Sequence, residues 1–205
     1  LADAQKDSLL TTISHELKTP LNGILGMVQI LQKKICDKEL LHYLSICKNS
    51  GSLLMALVNS ILDMNQIRSN TIKLYPERIC LMEFLDEVTR LFEVQCAQKN
   101  LYLRRNISPI MEEKYIFTDK NRLCQILINL IGNSLKFTKK GGIEITARDS
   151  NRYDDFIEFS VIDTGIGIKN EDKGKLFKMF GKLEETTTRE NNEGAGLGLT
   201  ISNTL

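Results

Sequence analysis

ISHELKTPLNG, Ile13 to Gly23, sets a histidine, a carboxylate and a proline inside a stretch whose apolar residues recur at helical spacing. Leu10, Ile13, Leu17, Pro20, Ile24, Met27 and Leu31 fall on successive a and d positions of a heptad, a seam suited to a coiled coil or bundle. In that register His15 occupies an f position, which faces water. Pro20 lacks an N–H and crowds the carbonyl of Glu16, so it is expected to bend or loosen the helix beside the histidine. An exposed imidazole titrates near neutrality and is nucleophilic when neutral, given an acceptor for its second ring proton. Glu16 is a candidate acceptor, and Lys18, Thr19 and Asn22 extend a polar stripe around it. A solvated helix face with an incidental histidine would show the same spacing, so the meaning of His15 depends on the rest of the chain.

Outward from this stretch, the pattern stays helical from about Ala2 to Gln66, with a break near Ile35 to Lys38 where Asp37 can cap a second helix. That second helix carries Leu40, Leu44, Cys47, Leu54, Val58 and Ile61, widened by Tyr43, Ile46, Leu53, Leu57 and Met64. One hairpin cannot cover so wide an apolar face, whereas two hairpins joined as a four-helix bundle can. A homodimer through residues 1–68 is therefore expected. His42 is expected at the surface near the hairpin turn, without a chemical role.

Past Arg68 the periodicity changes to mixed α and β, expected to form a second domain over 69–205. The readings are a strand at TIKLY (Thr71–Tyr75), a helix from Leu81 to Ala97, and strands at Tyr102–Ile107 and Tyr115–Thr118. A helix from Lys120 to Phe137 follows, then strands at Ile143–Arg148 and Phe156–Ile162. Helices covering one face of a sheet is the economical packing. The polar run Gly181 to Glu193 is long for a connection and reads as a lid.

Composition narrows the classes. With 27 basic and 26 acidic residues the formal charge is +1, and no basic block is present to attract nucleic acid or an anionic membrane. No apolar run approaches the roughly 20 residues that span a bilayer, and no signal peptide opens the chain. The five cysteines, Cys36, Cys47, Cys80, Cys96 and Cys124, are odd in number and widely spaced, which favours buried thiols in a reducing compartment over disulfides or a zinc site. A start without Met and a stop inside a helical pattern suggest part of a longer protein.

Three constellations carry chemistry. On the helix Lys120–Phe137, Arg122, Gln125, Asn129, Asn133 and Lys136 form a stripe beside the core face. Amide oxygens one turn apart suit Mg2+, which keeps most of its waters and borrows phosphate oxygens, and Lys136 can meet a phosphate. In FSVIDTGIGI, Phe159 to Ile168, Asp163 shares a strand face with Ile157, Phe159 and Val161, so a carboxylate points to the apolar side and needs a donor. An adenine amino group is one candidate, and Gly165 and Gly167 allow close backbone approach. In EGAGLGLT, Glu193 to Thr200, Gly194, Gly196 and Gly198 open a helix where N–H groups can crowd onto an anion. No strand leads into this motif and no Gly-Lys-Ser/Thr ends it, so it is neither a dinucleotide fingerprint nor a P-loop.

Together these motifs resemble those of the sensor histidine kinases of two-component systems. SHELKTPLNGI is similar to their H box, DKNRLCQILINLIGNSLKFT to their N box, DTGIGI to G1, LFKMFGKLE to the F box and GAGLGL to G2, in the family's order across essentially the whole chain. The resemblance implies a fold class of α plus α/β: a helical hairpin that dimerises into a four-helix bundle, then an ATP-binding α/β sandwich of the Bergerat type, truncated at its C-terminal end. It implies ATP and Mg2+ as cofactors, His15 as phosphoacceptor, Glu16 as acid/base group, and Thr19 as the residue that places water for dephosphorylation of the partner. Asn133 matches the principal metal ligand, Asn129 a supporting one, and Lys136 and Phe137 residues at the phosphates and adenine. Asp163 matches the adenine reader, Gly165 and Gly167 its loop, and Gly194, Gly196 and Gly198 the phosphate side. Leu176, Phe177 and Phe180 match lid anchors, and Arg189 a phosphate contact.

The implied reaction is autophosphorylation of His15 and transfer to an aspartate of a response-regulator receiver domain, with phosphatase activity toward the same partner. A cytoplasmic location follows, with no direct membrane contact in this stretch, within a membrane-anchored or hybrid receptor. Two other classes share parts of the pattern: a Bergerat-type ATPase that phosphorylates no histidine, and a non-catalytic dimeric scaffold. Ser134 departs from the alanine common in the family, and Ala195 from its usual threonine or other small residue.

Overall fold

A helix of 33 residues, α1 (Ala2–Lys34), runs unbroken through Pro20, so the proline removes one backbone rung without ending the helix. The computed structural model describes residues 2–69, 71–177 and 198–205. Asp37 caps α2 (Lys38–Arg68) as the sequence suggests, its carboxylate accepting from the N–H groups of Glu39 and Leu40.

The hairpin carries two apolar stripes. Among the described side chains of α1 the buried ones are Ser14, Leu21 and Val28, with Lys18, Leu25 and Gln32 half-buried between them. On α2 the matching stripe is Leu41, Leu44, Lys48, Gly51, Met55, Val58 and Leu62, of which Val58 and Leu62 are buried. Gly51 admits Leu25: a Cβ there would lie 2.8 Å from Leu25 Cδ2. The stripe read from the sequence is a second one. Its members Ile13, Leu17, Ile24, Met27 and Leu31, with Leu40, Tyr43, Leu54 and Ile61 of α2, are exposed.

The chain divides into two units at residues 72 and 73, four residues beyond the end of α2. In the second unit, TIKLY is not a strand: residues 71–76 are irregular, and β1 (Glu77–Cys80) begins only after Pro76. The Tyr75 N–H is given to the Asp119 carboxylate at 2.9 Å instead of a ladder, and Pro76 has no N–H to offer. After β1 come α3 (Leu81–Gln98), β2 (Tyr102–Ile107), α4 (Pro109–Glu112), β3 (Tyr115–Thr118) and α5 (Lys120–Phe137). Then follow β4 (Gly142–Asp149), β5 (Ile157–Asp163), a 3-10 turn (Asn170–Lys175) and α6 (Gly198–Thr204).

β1 and β3 form an antiparallel ribbon, and a separate sheet has the order β2-β4-β5, parallel for the first pair and antiparallel for the second. Ile143, Ile145 and Ala147 of the central strand β4 are buried at alternate positions. They join Leu81, Phe84, Leu85, Val88, Phe92 and Cys96 of α3 and Leu127, Ile131 and Leu135 of α5 in one core. Helical spacing on α3 and α5 meets strand spacing on β4, the two-layer packing expected. All five thiols are free, and two, Cys36 and Cys47, are exposed, against the expectation of burial. His42 is exposed. Among the described residues no helix is long and apolar enough to cross a membrane.

Candidate functional site

α5 carries most of the candidate side chains, and both its ends are anchored. Asp119 caps the N-terminus by accepting from Arg122 N at 3.0 Å, while its other oxygen holds Tyr75 N. Burial alone would push the Asp119 carboxyl up, but N–H groups of Tyr75, Arg122 and Asn121, with the Arg122 charge, outweigh it and hold the carboxyl below its ordinary value. At the far end Lys99 Nζ donates to Leu135 O at 2.9 Å, a cation on the carbonyl end of the helix.

The loop after β5 is sewn to that same end of α5. Asp163 Oδ2 accepts from Ser134 Oγ at 3.0 Å and Oδ1 from Gly165 N at 2.8 Å. Ile166 N reaches Phe137 O at 3.4 Å. Gly165 is needed for this approach, since a Cβ would stand 2.7 Å from Phe137 O, and Gly167 turns the loop with φ +69. Thr164 locks the neighbouring turn: its hydroxyl donates to Lys140 O and accepts from Gly142 N. Lys136 Nζ lies 5.1 Å from the Phe137 ring centroid, a cation–π contact.

Asp163 differs from its expected setting. Ile157, Phe159 and Val161 do pack against the core, but Asp163 ends that strand face exposed, and its protein donors are Ser134 and Gly165. Further up α5, Asn129 Nδ2 donates to Ser202 Oγ of α6 at 2.9 Å, and Gly198 sits so close that a Cβ would lie 2.0 Å from Asn129 Oδ1. Thr200 Oγ1 donates to Phe177 O at 3.1 Å, tying the start of α6 to the residue that follows Leu176.

The structure thus gathers Ser134, Lys136, Phe137, Asp163 and Gly165 at one end of α5, with half-buried Asn133 on the same helix and Asn129 joined to Gly198. An exposed carboxylate tied to a helix that also carries a lysine and two amide side chains is a donor set that fits an aminopurine nucleotide and a hard cation. In the first unit Glu16 and Thr19 are exposed on α1. His15 lies within α1, its side chain outside the described residues. Phe180, Arg189, Gly194, Gly196 and the expected lid Gly181–Glu193 also lie outside them.

Sequence reasoning passed over Ser134 as a partner of Asp163, Asp119 as a double anchor, and Thr164 as the lock of the turn. Ser134 did leave a signal: a hydroxyl in the buried stripe of an amphipathic helix, beside Ile131 and Leu135, needs a partner.

Residues 5–70 match the family described as His Kinase A (phospho-acceptor) domain, and residues 118–205 match Histidine kinase-, DNA gyrase B-, and HSP90-like ATPase. The autoinducer 2 sensor kinase/phosphatase LuxQ of Vibrio cholerae is 35% identical over 96% of this chain and 23% of its own length. The chain spans about a quarter of the length, or less, of the curated relatives it matches. Among solved structures, full-length ShkA in complex with AMPPNP is 32% identical with a TM-score of 0.74, covering 96% of this chain and 40% of that one. The catalytic domain of histidine kinase ThkA is 30% identical with a TM-score of 0.51, covering 62% of this chain and 76% of that one. ThkA in complex with response regulator protein TrrA aligns at 27% identity and a TM-score of 0.51, over 85% of this chain and 50% of that one. Phosphoacceptor hairpin first and ATPase-like domain second, the chain belongs to the sensor histidine kinases.

Proposed function

We propose that this chain is the dimerising and catalytic part of an ATP-dependent histidine autokinase whose phosphoryl group passes to an aspartate of a response-regulator receiver domain. The observation that supports the reading is the joining of the Asp163 loop to the end of α5, through Ser134 and Phe137, on the helix that also carries Asn133 and Lys136. Asp163 accepts from the adenine amino group, and Phe137 borders the base. Lys136 meets the phosphates. Asn133 Oδ1 holds Mg2+, with Asn129 Oδ1 as a supporting ligand while its amide nitrogen stays on Ser202. Bound Mg2+ neutralises charge on the phosphates. Gly167, with Gly194, Gly196 and Gly198, allows close approach of the backbone, and Arg189 contacts phosphate.

His15 attacks the γ-phosphorus with a neutral ring nitrogen. A P–N bond forms, the bond from that phosphorus to the β–γ bridging oxygen breaks, and ADP leaves. Glu16 takes the proton from the other ring nitrogen. Thr19 positions water when the phosphorylated partner is hydrolysed. A receiver partner is supported by the ThkA–TrrA complex, and a homodimer by the open stripe of Ile13, Leu17, Ile24 and Met27. Dependence on ATP assigns the work to the cytoplasm.

Incubation with Mg2+ and γ-labelled ATP tests the reading. Acid-labile, base-stable label on the native chain and none on His15→Gln is expected. ATP hydrolysis without label would favour the ATPase alternative, and absence of nucleotide binding the scaffold.

A further inference from the structure

We propose that Ser134 is a positioning residue for base recognition, acting through Asp163; this rests on the reading of Asp163 as the acceptor for a 6-aminopurine. Ser134 is only 5% exposed and lies in the core-facing stripe of α5, where a hydroxyl is costly without a partner. Its partner is Asp163 Oδ2 at 3.0 Å. An ionised carboxylate only accepts, so the Ser134 proton is committed to it. Oδ1 is held independently by Gly165 N at 2.8 Å.

The two oxygens of one carboxylate are thus tied to two elements, a helix and the loop that follows β5. The last torsion of an aspartate is broad when free, and two such ties fix the plane of the group. Each oxygen keeps lone-pair capacity, so the exposed carboxylate meets an amino donor already oriented. With alanine at 134, Gly165 alone holds one oxygen and the plane can swing.

Calorimetry on the 205-residue chain separates positioning from packing by using two ligands, Mg-ADP and the diphosphate of purine riboside, which lacks the 6-amino group. Ser134→Ala is expected to weaken ADP about fivefold and leave the desamino nucleotide unchanged. Ser134→Cys, close in size but a weak donor, should behave like the alanine variant. Equal weakening of both ligands, or native ADP affinity in either variant, overturns the proposal. Asp163→Asn tests the underlying reading by itself. Loss of ADP affinity greater than in Ser134→Ala, with the desamino ligand unaffected, supports the reading on which the proposal rests. Native ADP affinity in Asp163→Asn overturns the reading and the proposal with it.

Discussion

The hairpin and the α/β unit solve the burial problem in opposite ways. In the α/β unit, Leu81, Leu85, Ile131, Ile143 and Ile145 have no exposed surface at all, because two helices close over a central strand. In the hairpin the buried apolar residues, among those described, are Leu21, Val28, Val58 and Leu62, while Ile24 and Met27 remain more than half exposed. A pair of helices has only one mutual seam, so a chain that places a second apolar stripe on the same helices leaves it for another molecule. In the proposed dimer, folding and assembly would therefore be coupled in the first unit and separable in the second.

The sharpest way to break this contrast is at the closed core. Ile131→Ala should cost about 2–5 kcal/mol in the unfolding of the α/β unit, by lost transfer energy and the cavity left behind. Urea denaturation followed by helix content should show that transition moved and the hairpin transition unmoved. The counterpart is the double substitution Ile24→Asp and Met27→Asp. Sedimentation should then report monomers at concentrations where the native chain is a dimer, while the seam of Leu21 and Val28 is untouched. Monomers from the native chain, or dimers from the variant, would refute the assignment of the open stripe.

Smaller effects sharpen the picture within the α/β unit. Asp119→Ala removes the α5 cap and the hold on Tyr75, at a cost of about 1 kcal/mol. Because the folded carboxyl titrates below its ordinary value, its contribution is complete above about pH 4 and is lost as pH falls through the folded value. Stabilities of native and variant measured from pH 7 downward should therefore converge in acid. Smallest of all is Thr138→Val. Among the described residues the Thr138 hydroxyl is buried without a hydrogen-bond partner, so an isosteric methyl should change stability by less than about 0.5 kcal/mol or raise it slightly.

Much of this was legible because it is written in local periodicity. The bounds of α5, β2 and β3 follow the sequence reading residue for residue, and Asp37 announced the second helix. What local periodicity left out shares a cause: each feature depends on a partner distant in the chain or on another molecule. TIKLY has strand composition, but a side chain 44 positions away takes the Tyr75 N–H. The heptad of Ile13 and Ile24 is genuine, yet nothing local says whether its partner is the same chain or another. Asp163 was placed on the correct face, but its donor Ser134 comes from a helix 29 positions back. Asn129 reads as a free amide until α6 brings Ser202 against it.

The two hairpin stripes carry a restriction on length. A helix turns about 100° per residue, so deleting one residue between Leu21 and Val28 would swing everything after it around the axis. The buried stripe would lose its facing partner on α2, and the exposed stripe would lose its line. Removing seven residues from each helix together shifts the phase by only about 20° and spares both. The hairpin can therefore shorten or lengthen in whole heptads, whereas the turns of the α/β unit are free of that arithmetic.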